Sequence, residues 1–148
     1  MTRLQVTVPL AFTKPPLSLN DHRMHHMQRA RIVRQLREEV VMMLRLRRVP
    51  KPAQHVKVTF HYRPRDNRAR DTDNLIATVK PLVDALGPGR PARMSRKGKI
   101  TQPVPGYGLV PDDTPEFVTR PEPVIHRADK TKGPACWLAL TITYKETP

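Results

Sequence analysis

The chain has 148 residues, enough for one domain with a modest core, and only 38% of them are apolar. Its 27 Lys and Arg against 13 Asp and Glu leave a net charge of +14, so a polyanion, with nucleic acid foremost, is the expected partner. A single cysteine, Cys136, excludes an internal disulfide framework and a thiolate zinc cage.

The chain opens with Leu4, Val6 and Val8 alternating with Gln5 and Thr7, the pattern of a half-buried strand. That apolar run is too short and proline-broken for a signal peptide, and no later stretch approaches the roughly 20 apolar residues of a membrane span. The expectation is a cytoplasmic protein with no membrane partner. Pro15 and Pro16 force an extended stretch. Val33, Leu36, Val40 and Met43 then recur at helical spacing, with Arg29, Arg34, Arg37 and Glu38 off the stripe. This predicts a helix over about 23–47, capped by Asn20 or Asp21 and stopped by Pro50.

Val56, Val58, Phe60 and Tyr62 alternate with polar residues and predict a strand over 55–62. A polar turn, RPRDNRAR, leads to a helix with Leu75, Val79, Leu82, Val83 and Leu86 on one face. Pro81 within it predicts either a kink or a late start. Residues 87–111 carry Arg90, Arg93, Arg96, Lys97 and Lys99, no acid and many prolines and glycines, and are expected to be an irregular, mobile loop. Strands are predicted over 117–126, weakened by Pro121 and Pro123, and over 137–144. The whole is expected to be a single α/β (α+β) domain spanning 1–148: a small mixed β-sheet with two helices packed on it.

The acids are more telling than the bases. Seven of the thirteen are Asp66, Asp71, Asp73, Asp84, Asp112, Asp113 and Glu116. The pairs Asp71-x-Asp73 and Asp112–Asp113 sit before a helix and before a strand, where carboxylates can converge as the hard oxygen ligands that Mg²⁺ or Mn²⁺ prefers. Each pair also has a purely structural reading, Asp73 as a helix cap and VPDDTPE as a turn. Arg63, Arg65, Arg68, Arg70 and the basic loop surround the pairs, as expected where metal-bound carboxylates meet phosphate. Asn74 and Lys80 lie close enough in sequence to orient a ligand or touch a phosphate oxygen. No GxSxG, P-loop or HExxH pattern offers another catalytic set, and His22, His25 and His26 form only a basic cluster at a helix start.

At RARDTDNLIATVKPLVDAL followed by LVPDDTPEFV, the sequence resembles the RusA family of Holliday-junction resolvases, and PPLSLNDHR resembles the family's segment after the first strand. The resemblance spans most of the chain. It implies a RusA-like homodimer of a bacterial cell or a phage, an endodeoxyribonuclease that resolves four-way DNA junctions by paired symmetric nicks in recombination and repair. It implies Mg²⁺, with Mn²⁺ as a substitute, no small-molecule cofactor, and branched DNA as substrate. The residues it makes catalytic are Asp71, Asp73 and Asp113 as metal ligands, Asp112 as a neighbouring ligand, and Lys80. The family's lysine falls where this chain has Ala77; Lys80 lies three residues later, on nearly the same helical face. Asn20, Arg23, Arg68, Arg70, Asn74 and the cations Arg90, Arg93, Arg96, Lys97 and Lys99 are the expected DNA contacts. Two alternatives stay open: a fork or flap nuclease of the same fold, and a non-catalytic basic nucleic-acid-binding protein.

Overall fold

The computed structural model describes residues 1–19 and 23–146. Its centre is a five-stranded mixed sheet. The first strand, β1 (Thr2–Pro9), pairs antiparallel with the last, β9 (Ala135–Tyr144), from Thr2 opposite Tyr144 to Pro9 opposite Trp137. Strand β9 pairs antiparallel on its other side with β2 (His55–Arg63), from His55 opposite Thr143 to Arg63 opposite Ala135. The period-2 pattern is read by the core: Val56, Val58, Phe60, Tyr62, Leu138, Leu140 and Ile142 are buried on one face. Cys136 is buried beside them, and burial pushes its thiol up to about 12.

Two helices cover that face. The first, α1 (His26–Leu46), buries Leu36, Val40, Val41 and Leu44, so its inner stripe is rotated from the one the periodicity suggested, and Val33 and Met43 are only partly buried. It begins at His26 rather than near residue 23. The cap is His25, whose Nδ1 accepts from the Met27 N–H at 3.2 Å; Asn20 and Asp21 lie outside the described residues. At the far end Arg48 takes the left-handed conformation (φ 50°), the Arg48 N–H donates to the Arg45 carbonyl, and the Val49 N–H donates to the Leu44 carbonyl. This is a Schellman stop with an arginine where glycine is usual, and buried Val49 seals it.

The second helix does not start late enough to put Pro81 in its first turn. A 3-10 turn (Thr72–Leu75) precedes α2 (Ile76–Asp84), and Pro81 lies in the second turn of α2. The fully buried Thr78 hydroxyl donates to the Leu17 carbonyl at 3.0 Å and accepts from the Leu17 N–H at 3.1 Å, strapping the proline-rich segment onto this helix.

Residues 87–111 are not the irregular loop expected. They form a two-stranded ribbon in which β3 (Pro88–Arg90) pairs antiparallel with β6 (Val104–Tyr107), and β4 (Arg93–Met94) with β5 (Ile100–Thr101) nested inside. Gly98 (φ 78°) closes the tip. The base is anchored apolar-side down: Tyr107, Leu109 and Val110 are buried, the Tyr107 hydroxyl donates to the Val49 carbonyl, and the Ala53 N–H donates to the Leu109 carbonyl at 2.8 Å. Gly89 and Gly106 let the two strands approach so closely that a Cβ on Gly106 would stand 2.3 Å from the Gly89 nitrogen. Glycine, read in sequence as a breaker, here is the condition for pairing.

The remaining strands, β7 (Val118–Thr119) and β8 (Val124–Ile125), pair parallel with opposite ends of β2. Pro121 and Pro123 cannot donate to a ladder, so the edge strand splits between them and residues 120–123 stand away from the sheet.

Candidate metal and nucleic-acid site

Strand β2 delivers the chain into the turn at 64–70, and Asp66 organises that turn. Its carboxylate accepts from the Arg68 N–H at 3.2 Å and from Arg70 Nη2 at 2.7 Å, while Arg70 Nη1 donates to the Asp66 and Arg68 carbonyls. Those bonds, Arg70 above all, hold the Asp66 carboxyl below its ordinary range. Arg70 is thus turned back onto its own loop, only 23% exposed, and is not presented to a ligand as the sequence suggested. Arg65 and Arg68 approach the same carboxylate only to 3.6 Å, and both side chains are 78% exposed.

The turn ends in the first carboxylate pair. Asp71 Oδ1 accepts from the Asp73 N–H at 3.0 Å, so Asp71, and not Asp73, caps the 3-10 turn. Asp73 is exposed one residue inside it, and the half-buried Asn74 donates its N–H to the Asp71 carbonyl at 3.3 Å. The second pair arrives from beyond the ribbon. Asp112 Oδ1 accepts from the Asp113 N–H at 2.7 Å, and Asp113 Oδ2 accepts from Lys80 Nζ at 3.2 Å. Lys80 also donates to Asp84 Oδ1, one turn along α2, at 3.1 Å. These two carboxylates, Asp84 first, raise the Lys80 ammonium above its ordinary value, and Lys80 in turn lowers Asp113.

Asp73 and Lys80 line a common cleft of about 440 Å³ with Thr72, Ile76, Arg120 and Glu122. Glu122 escaped the sequence reading. It accepts from the Thr72 hydroxyl at 2.6 Å, and the readable signal was its place between Pro121 and Pro123, which lift it off the sheet edge toward the first pair. The carboxylates therefore lie along α2 from three segments, with Asp71, Asp73 and Glu122 at its start and Asp113 against Lys80 further along. They do not close into a single shell: among the described residues, no three His, Cys, Asp or Glu side chains are grouped so as to hold one ion. The donors are nonetheless all hard oxygens, the chemistry that suits Mg²⁺ or Mn²⁺.

A second charged chain joins the far end of α2 to the ribbon. Arg37, expected on the solvent side of α1, is instead 13% exposed; its Nε donates to the Pro105 carbonyl at 2.7 Å and its Nη1 lies 3.9 Å from Asp84 Oδ2. Burial, only partly offset by Asp84, lowers the Arg37 guanidinium, and Arg90 at the ribbon base lowers it further. Arg90, Arg93, Arg96, Lys97 and Lys99 are all exposed, as is Arg23 before α1; Asn20 lies outside the described residues. No helix among the described residues is long and apolar enough to cross a membrane.

In comparison with known proteins, no family model matches this chain and no curated protein matches it significantly.

Proposed function

We propose that the chain is a Mg²⁺-dependent, structure-specific endodeoxyribonuclease of the RusA kind, acting inside the cell on four-way DNA junctions. The observation that carries this reading is the Lys80–Asp113 contact, which brings a carboxylate from beyond the ribbon to the helix that follows Asp71 and Asp73. Asp71, Asp73 and Asp113 would hold the ion, with Asp112 or Glu122 beside them. When bound, the ion supplies Lewis-acid stabilisation of charge developing on the scissile phosphate and an acidified water. Lys80, paired with Asp84 and Asp113, would offer its ammonium to a non-bridging phosphate oxygen. Arg65, Arg68 and Arg120 neutralise phosphates around the cleft, and the ribbon cations extend that surface.

A homodimer fits this reading, because two matched nicks need two sites related by two-fold symmetry. What supports it is an apolar surplus on the outer side of α1: Met42 is 55% exposed and Leu46 70%, along a groove shared with Pro103, Val104 and Pro105 of the ribbon. The rival reading, a non-catalytic basic DNA-binding protein, is favoured by the lack of a three-carboxylate shell among the described residues.

Purified chain incubated with a synthetic four-way junction, a flap and a linear duplex, with and without Mg²⁺, tests all of this. Symmetric nicks in the junction that need Mg²⁺ support the proposal. Cleavage of the flap alone transfers it to a fork or flap nuclease, and binding without cleavage in Mg²⁺ and Mn²⁺ overturns it.

A further inference from the structure

The helices cover one face of the sheet, and the outward positions of β1, β2 and β9 form the other. Those positions carry Arg3, Lys57 and Arg63 and not one carboxylate. The middle is made of short side chains, Thr7, Ala139 and Thr59, aligned across the three strands by the register. At the end nearest the 64–70 turn, three rings meet: His61 and Trp137 are cross-strand neighbours, and His126 follows β8. Their centroids lie 5.1 Å (His61–His126), 5.2 Å (His61–Trp137) and 5.0 Å (His126–Trp137) apart, with planes inclined by no more than 28°. All three pairs are stacked, which gathers the rings into one cluster, and each ring remains half-exposed. His61 Nδ1 and His126 Nε2, 2.8 Å apart, lock it, and the Arg63 guanidinium lies 5.3 Å from the Trp137 ring centroid.

We infer that this open sheet face binds single-stranded DNA, with unpaired bases stacking on the His61–Trp137–His126 patch and the strand's phosphates running past Arg63, Lys57 and Arg3. The chemistry selects that occupant. A cationic face without acids repels a second copy of itself and attracts a polyanion. A ring patch adds to that attraction only if the ligand offers free base faces, which paired bases inside a duplex do not. The short central side chains let a strand lie close to the sheet, and Lys57 and Arg63 are spaced roughly 20 Å apart along β2, a run of several phosphates. Asp129, whose charge interacts with Arg63, is occupied in its own turn, accepting from the Thr131 and Lys132 N–H groups. The inference goes beyond the nuclease reading and does not rest on it, since nothing in this face involves the carboxylates.

Trp137 is the only tryptophan in the chain, so selectively excited tryptophan fluorescence reports this face alone. Oligothymidylate titrated into the full chain in EDTA, where cleavage plays no part, is expected to quench Trp137 saturably. Three phosphate contacts to a single strand give a salt slope of about −2, so a fourfold rise in salt should weaken the quench-monitored affinity roughly twentyfold. Lys57→Glu, at an exposed position, should weaken it about tenfold further, with Arg3→Glu as the second variant should the first unfold. A blunt duplex, its binding followed by anisotropy, should leave Trp137 unquenched. The inference is overturned if oligothymidylate binds without moving Trp137 fluorescence, or does not bind. It is equally overturned if duplex quenches as well, or if the signal shifts with protein concentration alone while sedimentation shows dimer, which would place a second copy on the face.

Discussion

Lys80 and Asp113 stand 33 positions apart in the chain, yet Nζ and Oδ2 are separated by 3.2 Å. The contact is mostly exposed, so as an ion pair it contributes little to stability, and Asp113→Asn should change the unfolding free energy by no more than about 0.5 kcal/mol. Its expected effect is on chemistry. Asp113→Asn and Asp73→Asn should each reduce Mg²⁺-dependent junction cleavage at least about 100-fold while junction affinity holds or tightens, because a negative charge leaves a phosphate-facing site. Asp71→Asn is the sharper variant, since asparagine caps as well as aspartate and only the charge is lost. Asp112→Asn should cost the same or less. Single-turnover cleavage beside a gel-shift titration separates the two quantities, and wild-type rates in the first three variants would remove the metal-site assignment.

The ribbon offers a test of its own order. A Cβ on Gly106 would lie 2.3 Å from the Gly89 nitrogen and 2.5 Å from the Gly87 carbonyl oxygen, both backbone atoms with nowhere to move. Gly106→Ala should therefore force β3 and β6 apart at a cost of about 1–3 kcal/mol. Hydrogen exchange at residues 104–107 should accelerate while β2 and β9 keep their protection. Gly87→Ala is the control: its Cβ would meet its nearest neighbour at an ordinary 3.5 Å, and stability should stay within about 0.5 kcal/mol of the parent.

The strands at 2–9, 55–63 and 135–144 were legible because each alternates apolar and polar residues, and the buried side chains of β2 and β9 follow that alternation. The ribbon was not, because local composition argued against strands at Gly89, Pro105 and Gly106, and only the tertiary anchor of Tyr107, Leu109 and Val110 makes pairing worthwhile there. The carboxylate pairs were legible as types and spacings. Their partners were not: that Lys80 divides itself between Asp84 and Asp113, that Arg70 is consumed by its own turn and that Glu122 joins Thr72 all depend on contacts between distant segments.

Arg48 holds a left-handed φ of 50° to let the Val49 N–H reach the Leu44 carbonyl. For a residue with a Cβ that conformation costs roughly 1–2 kcal/mol, and glycine avoids the cost while losing roughly 0.4–1 kcal/mol to its freer unfolded chain. The net expectation for Arg48→Gly is a gain of about 0.5–1 kcal/mol, a rise of about 1–4 °C in Tm. Arg48→Ala, which keeps the Cβ, should show no such gain in the same calorimetric scan.

His61 carries the clearest pH signature. Burial among its neighbours, with the charge of His126 as the second cause, lowers its imidazole below the ordinary value. In the unfolded chain the same ring takes a proton near pH 6.5. Between that pH and the lower folded value the unfolded state binds more protons, so stability falls as pH falls through this window and is fully retained above it. Urea midpoints at constant ionic strength should accordingly decline from pH 7.5 to pH 5.5. His61→Gln keeps a polar side chain opposite Trp137 and has no proton to gain, so its midpoint should vary less over the same range. If parent and variant lose stability in parallel, the dependence belongs to other groups and the His61–His126 contact does not govern it.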